Sequence, residues 1–468
     1  MKTLHRGHIF HLTGTPTVQE ARDALVEVPD GALLVNEEGV IEWCGPYSDR
    51  PERKGAPVEV IDHGDAFILP GFVDTHMHFP QVNSIDAYGG GQLLEWLTEC
   101  IFPAEARFEN EDFATGAAKE FCHRLISAGT TTSLVFGSAF PAAQDALFGE
   151  YRRRGLRGVI GRGIQTIGPD AAKPLITSEK DAIRLTREEI EKWHPSEDEA
   201  SEALVYTAVV PRFSLSVTTE TFAALGELYD HFRPRGVYFT SHLNENNRAG
   251  DGEIAAVLGS YEVETYLDTY DGRFLPGSKK GGESLLGRRS VMAHCVHCQD
   301  SELERMAETR TSVSHCPTSQ LFLGSGTMPW RRTIAAGVNV AAGTDLAAGD
   351  TWFIPDVLNT AFKVHISEPD ELNAAVALHP AELLHLATVA GARALDLEDR
   401  IGNFDPGREA DLVVIDPAQW EPLANSLEWG LRSDDPVKRT QGRLFTVLMA
   451  CNQVALTETY VRGRRLSN

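Results

Sequence analysis

The tripeptide His76-Met77-His78, set directly behind the apolar run Phe67-Ile68-Leu69-Pro70-Gly71-Phe72-Val73, constrains this chain more than any other feature. In a strand, side chains two positions apart point to the same face, so both imidazoles can reach one metal ion. Three further ligand-type residues each close a short apolar run. They are His242 after Val237-Tyr238-Phe239-Thr240-Ser241, His294 after Val291-Met292-Ala293, and Asp345 after Val338-Asn339-Val340-Ala341-Ala342-Gly343-Thr344. Ligands far apart in sequence, each at a strand end, imply a parallel barrel whose strand C-termini converge on a single metal. That pattern is an enzyme's.

The rest of the chain has the matching rhythm. Short apolar runs near 67–74, 131–136, 156–164, 204–210, 237–242, 290–294, 311–315 and 338–343 alternate with helical patterns at 111–127, 141–154, 178–193 and 218–232. Alternation of this kind makes βα units, and eight of them make a (β/α)8, TIM-like barrel. Outside it the pattern changes. Residues 32–35 and 40–43 read as strands joined by the turn Asn36-Glu37-Glu38-Gly39. Beyond about 395 strands return, at 410–415 and as a pair around Asn452-Gln453. The expected fold class is α/β: a barrel over 67–395 and a small β-sandwich domain built from both termini, residues 1–66 and 396–468. The charge-rich residues 178–202 read as a solvated helix face.

A formal charge of −24 argues against nucleic acid and anionic membrane as partners, since both require a basic face. The 7 cysteines, an odd number in a long chain, read as reduced thiols and not as a disulfide framework. The N-terminal residues lead into no apolar signal region, and no apolar run reaches the length of a membrane span. A cytoplasmic protein acting on a small molecule is expected.

Imidazoles plus one carboxylate suit zinc or iron, with one position left open for water. Two competing motifs are weaker. Cys295 and Cys298 form a C-x-x-C beside His294 and His297, followed by His315-Cys316, but the second C-x-x-C of a zinc knuckle is missing. Buried thiols at strand ends account for them better. The chain also has no P-C-x-x-C, which excludes the zinc deaminases built on that motif.

These residues resemble the amidohydrolase superfamily and, within it, most closely the guanine deaminases. The likeness begins with Pro70-Gly71-Phe72-Val73-Asp74-Thr75-His76-Met77-His78-Phe79-Pro80-Gln81. It continues through Gln92-Leu93-Leu94-Glu95-Trp96-Leu97 with Phe102-Pro103, Pro211-Arg212-Phe213 and His242-Leu243-Asn244-Glu245-Asn246. His294-Cys295-Val296-His297, Cys316-Pro317-Thr318-Ser319, Leu323-Gly324-Ser325-Gly326 and Gly343-Thr344-Asp345 complete it. The chain departs from that pattern at Gly89-Gly90-Gly91 and in a longer segment at 247–252, which implies altered loops on the catalytic face.

The resemblance implies one zinc per chain, held by His76, His78, His242 and Asp345. Binuclear relatives carry a bridging lysine at the end of the fourth strand. Here that strand runs into Pro211-Arg212 without one, so a mononuclear site follows. The implied reaction is hydrolytic deamination of guanine to xanthine and ammonia by a homodimeric enzyme. In it Glu245 shuttles protons, Asp345 accepts one from water, and His294 hydrogen-bonds the developing oxyanion. Gln81, Arg212, Phe213, His242 and Glu245 would contact the substrate. Arg212 has only donors and suits guanine O6, while the Gln81 amide can both donate and accept. Residues 92–102 are amphipathic, and serve either core packing or a lid. Two alternatives stay open: a deaminase of a related heterocycle such as a pterin or triazine, and a non-catalytic scaffold on the same fold.

Overall fold

The computed structural model describes residues 1–51, 57–85, 87–88, 92–248, 252–273, 285–367, 377–430 and 433–467. The Gly89-Gly90-Gly91 departure and residues 249–251 of the second lie outside the described residues. By its contacts the chain forms two compact units, one of residues 1–74, 123–132 and 352–468, the other of 75–122 and 133–351.

Eight strands form one sheet in sequential order: Phe72–His78, Thr130–Gly137, Arg157–Ile164, Val205–Pro211, Tyr238–Leu243, Ser290–His294, Ser312–His315 and Val340–Ala342. Most of their residues are buried, as expected of strands covered by helices on one side and filling a barrel on the other. Parallel pairing sets His242, Ala293, Ser314 and Ala341 at one level across four strands. Beyond the eighth strand the chain turns back to the first. The Asp345 N–H donates to the His76 carbonyl at 2.8 Å, and the His78 N–H donates to the Leu346 carbonyl at 3.2 Å. The barrel therefore closes at the level of the paired histidines. That approach requires Gly343, because a Cβ there would lie 2.3 Å from Ser314 Oγ and 3.0 Å from His76 Cβ.

Helices Glu111–Ser127, Pro141–Arg154, Glu179–Trp193 and Thr219–Phe232 occupy the stretches their periodicity predicts. Two start on hydroxyl caps: Ser178 Oγ accepts the Asp181 N–H, and Thr218 Oγ1 accepts the Thr221 N–H. The charge-rich helix is amphipathic and not solvated all round, since Ala182, Thr186, Glu189 and Ile190 are buried along one stripe.

The terminal segments build a mixed seven-stranded sheet in the order Arg464–Arg465, Leu456–Val461, Leu412–Ile415, Val58–Pro70, Lys2–Leu12, Leu25–Val35, Ile41–Pro46. Its turn at 36–39 forms as expected, with Asn36 Oδ1 accepting the N–H groups of Glu38 and Val40 and Gly39 at φ +82°. Ile9, Leu33, Val35, Ile68, Leu412 and Val414 fill its core.

Three details differ from expectation. Residues 67–70 end the strand Val58–Pro70 of this sheet, and the first barrel strand starts at Phe72, because a continuous apolar run hides the break at Gly71. Asn452 caps a short 3₁₀ turn, Gln453–Ala455, and the strand begins only at Leu456. The C-terminal part also holds two helices, Glu421–Gly430 and Pro436–Met449. Asp435 caps the second, Pro436 opens it, and Leu444, Val447 and Leu448 bury its apolar stripe. Among the described residues no helix is long and apolar enough to cross a membrane.

Candidate active site

All nine residues singled out in the sequence lie in the unit of residues 75–122 and 133–351. His76 and His78 end the first barrel strand, Arg212 and Phe213 follow the fourth, His242 lies on the fifth, His294 ends the sixth, and Asp345 follows the eighth. Three of these strand ends are conformationally costly. Asn244, His294 and Asp345 take φ values of +50°, +73° and +49°. For residues with a side chain the left-handed region costs roughly 1–2 kcal/mol, and such positions cluster at functional sites. Asn244 is held there by its amide, which donates to Glu302 Oε1 at 2.9 Å.

His76 Nε2 and His78 Nε2 lie 3.1 Å and 3.2 Å from Asp345 Oδ1, and His242 Nε2 lies 3.3 Å from His78 Nε2. Four ligands at about 2.0–2.1 Å from a tetrahedral zinc stand about 3.3 Å apart, so this donor set fits the ion. The His242 Nδ1–H donates to the Arg212 carbonyl at 2.6 Å, leaving Nε2 as the lone-pair nitrogen facing the other three ligands. Burial pushes the pKa values of His78 and His242 down, toward the neutral imidazole that metal binding requires. Among the described residues these four form the group with metal-site spacing. Cys295, Cys298 and Cys316 are buried free thiols, not a zinc knuckle.

Glu245 and His294 sit beside this cradle. His294 Nε2 is 3.4 Å from Glu245 Oε2 and 3.8 Å from Asp345 Oδ2. Burial brings the His294 pKa down to about 3, so the ring stands beside these carboxyl groups as a neutral imidazole, not as a cation. Glu245 is only 1% exposed. Its burial, reinforced by the charges of Glu253 and Asp345, raises its pKa well above the usual carboxylate range. A carboxyl group raised this way holds a proton that an ordinary carboxylate would already have lost, which suits it to proton transfer. Its loop is fastened by a second buried carboxyl group: Glu253 Oε2 accepts the N–H groups of Glu245 and Asn246 at 3.2 and 3.1 Å, and its Oε1 accepts the Tyr266 hydroxyl at 2.6 Å.

A partly open cleft lies over these groups. His78, His242, Glu245 and Asp345 line it together with Gln81, Arg212, Phe213, Glu253 and the apolar Leu93, Trp96 and Leu97. Residues 92–102 thus serve as wall and core together: Ile101 and Phe102 pack in the same cluster as Leu175, Phe213 and Leu323. The stretch contains one π-helical turn, Leu97–Ile101, a rare form that tends to mark functional sites.

Arg212 is buried and is no surface ion pair. Its Nη1 donates to Glu105 Oε2 at 2.6 Å, and Gln81 Nε2 donates to the other oxygen of the same carboxylate at 2.9 Å. Gln81 Oε1 accepts the Ala347 N–H at 3.0 Å. Glu105 and Glu253 were not among the residues singled out in the sequence. A signal for Glu105 exists: it continues the buried row Leu97, Ile101 at steps of four and places a charge on an apolar stripe. For Glu253 we find none, because an acidic residue in a first helical turn is ordinary.

The model of the amidohydrolase family matches residues 67–449. The guanine deaminase of Escherichia coli (strain K12) is 35% identical over 461 residues, covering 98% of this chain and 96% of that protein. A probable guanine deaminase of Deinococcus radiodurans is 39% identical over 449 residues, covering 95% and 94%. Among solved structures, the E. coli guanine deaminase superposes with a TM-score of 0.85 at 31% identity over 100% of both chains. A guanine deaminase from C. acetobutylicum with guanine bound in its active site superposes at 0.81 with 25% identity, also over 100% of both. With so extended a match, running through the strand ends that carry the cradle, the chain belongs to the amidohydrolase family and, within it, to the guanine deaminases.

Proposed function

We infer that this protein hydrolyses guanine to xanthine and ammonia with one zinc ion per chain. The observation that carries the reading is the convergence on one cleft of a four-ligand cradle, the proton-holding Glu245 and the Arg212–Gln81 pair. Burying so many ionisable groups around one point is costly, and a scaffold without chemistry would have no reason to keep them.

His76, His78, His242 and Asp345 would hold the zinc, which when bound lowers the pKa of a water from 15.7 to about 7. The water oxygen bonds to C2 of guanine, and the bond from C2 to the exocyclic amine breaks. Of the water's two protons, one ends on the adjacent ring nitrogen and the other on the departing ammonia. Glu245 shuttles protons from the oxygen to these two nitrogens and Asp345 assists by accepting one from the water on its way, a service worth roughly 10²- to 10⁴-fold. His294 donates a hydrogen bond to the oxygen as it gains charge. Arg212 and Gln81 face the O6 and N1 edge, Phe213 closes the pocket beside them, and His242 and Glu245 border the reacting carbon. The same proposal has the enzyme working in the cytoplasm as a homodimer. Its small-molecule substrate is its ligand, and the charge of −24 disfavours nucleic acid and anionic membrane.

Ammonia release from zinc-loaded protein across guanine, adenine, a pterin and a triazine tests the reading. Guanine is expected to be turned over and adenine rejected by roughly 10⁴-fold, since donors built for O6 would be left unpaired. Release from the pterin or triazine but not from guanine would replace the assignment with the related-heterocycle alternative.

Specificity yields a sharper expectation. 2-Aminopurine keeps the amine at C2 but lacks O6, so it should be a poor substrate. Arg212→Ala is expected to lower kcat/KM for guanine by about 10- to 100-fold, the worth of a hydrogen bond to a charged donor, while 2-aminopurine changes little. Equal losses on the two would mean that Arg212 supports the pocket without reading the base.

A further inference from the structure

We propose that Glu105 is a specificity-determining positioning residue, whose carboxylate fixes the hydrogen-bonding faces that Gln81 and Arg212 present to the base. This rests on the guanine reading of the site. Glu105 is 5% exposed, lies on the short helix Phe102–Ala106 behind the cleft wall, and touches none of the metal ligands through the contacts it makes.

The argument is one of donors and acceptors. A side-chain amide can present either end, so Gln81 alone carries no fixed message. An ionised carboxylate only accepts, and Glu105 Oε1 takes the Gln81 Nε2–H at 2.9 Å. On the other side the Ala347 N–H can only donate, and it meets Gln81 Oε1 at 3.0 Å. A flipped amide would set oxygen against carboxylate and N–H against N–H. The orientation is therefore determined at both ends, leaving one N–H and one oxygen lone pair for the substrate.

The second carboxylate oxygen does the same for Arg212, taking Nη1 at 2.6 Å while the guanidinium lies 5.3 Å from the centroid of the Phe102 ring. Nη1 is thus committed to Glu105, and the other guanidinium N–H groups can serve the cleft that Arg212 lines. The pairing also balances the buried positive charge. A pocket built for a phosphate or carboxylate would leave that charge to the ligand, whereas this one presents directed donors in a neutralised pair. It therefore suits an uncharged ring bearing an oxo group.

Glu105→Gln preserves the shape but supplies one acceptor in place of two, so either Gln81 or Arg212 faces an N–H₂ group. We expect kcat/KM for guanine to fall about 10- to 100-fold, kcat/KM for 2-aminopurine to stay within about 3-fold, and zinc content to hold. The double variant Glu105→Gln/Arg212→Ala should be no worse on guanine than Arg212→Ala alone, as for residues acting through one another. Glu105→Asp, which keeps both acceptors, should recover part of the loss. Equal losses on both substrates, or additive losses in the double variant, would overturn the role. Should Glu105→Gln fail to fold, Glu105→Asp carries the test, and an unchanged guanine to 2-aminopurine ratio overturns it. Wild-type protein that releases no ammonia from guanine would overturn the functional reading first, and this role with it.

Discussion

Exchanging Glu245 for glutamine is expected to lower kcat for guanine by about 10²- to 10⁴-fold while leaving the metal bound. The substitution keeps the shape of the side chain and removes only its capacity to take and give a proton. Glu245 lies three positions after His242 but is not among the four ligands, so metal content should not follow activity down. Stability should move the other way. Burial raises the Glu245 pKa, and an acid with a raised folded-state pKa destabilises the fold as pH climbs past its unfolded value near 4.5. A neutral amide in that place is also spared the charge of Glu253. The variant should therefore melt at or above the wild-type temperature, a stability gained at the expense of activity. Kinetics, metal analysis and thermal unfolding on the same preparation check all three. Turnover near the wild-type rate would move the proton transfer to another residue.

What the sequence revealed, and what it hid, follows from how each residue does its work. His76 and His78 were legible because a strand repeats every two residues, and a ligand pair at that spacing is rare by chance. His242, His294 and Asp345 were legible because each ends an apolar run, and barrel geometry sends strand ends to one place. Helix limits at 179 and 219 could be read from Ser178 and Thr218, whose hydroxyls cap them. The break at Gly71 was not legible, since the buried end of the strand Val58–Pro70, residues 66–70, and the buried strand Phe72–His78 leave one unbroken apolar run across it. The C-terminal helices were missed because their apolar stripes are narrow. Roles set wholly by three-dimensional partners were the least accessible. Glu105 acts through Gln81, 24 positions earlier, and Arg212, 107 later, and no local pattern announces either distance. Glu253 is the same case, a carboxylate whose meaning lies in the backbone N–H groups it accepts.

His78→Ala is expected to abolish detectable turnover of guanine together with stoichiometric zinc. Three ligands would remain, and the vacated position adjoins both His242 Nε2 at 3.3 Å and Asp345 Oδ1 at 3.2 Å, so the ion loses a ligand at the centre of the set. Even residues that merely support a ligand are worth about 10- to 100-fold in metal affinity, and a ligand itself should count for more. The loss should also appear without any substrate. An ion that binds only the folded chain stabilises it by about 4.1 kcal/mol when free metal stands at 1,000 times the dissociation constant. Removing zinc from the wild-type protein with a chelator should therefore lower its melting temperature, and adding zinc back should restore both stability and ammonia release. His78→Ala should show little response to either treatment. Elemental analysis is expected to give one zinc per wild-type chain and much less in the variant. Two metals per wild-type chain would contradict a site built from His76, His78, His242 and Asp345 alone, and a fully active His78→Ala would remove this residue from it.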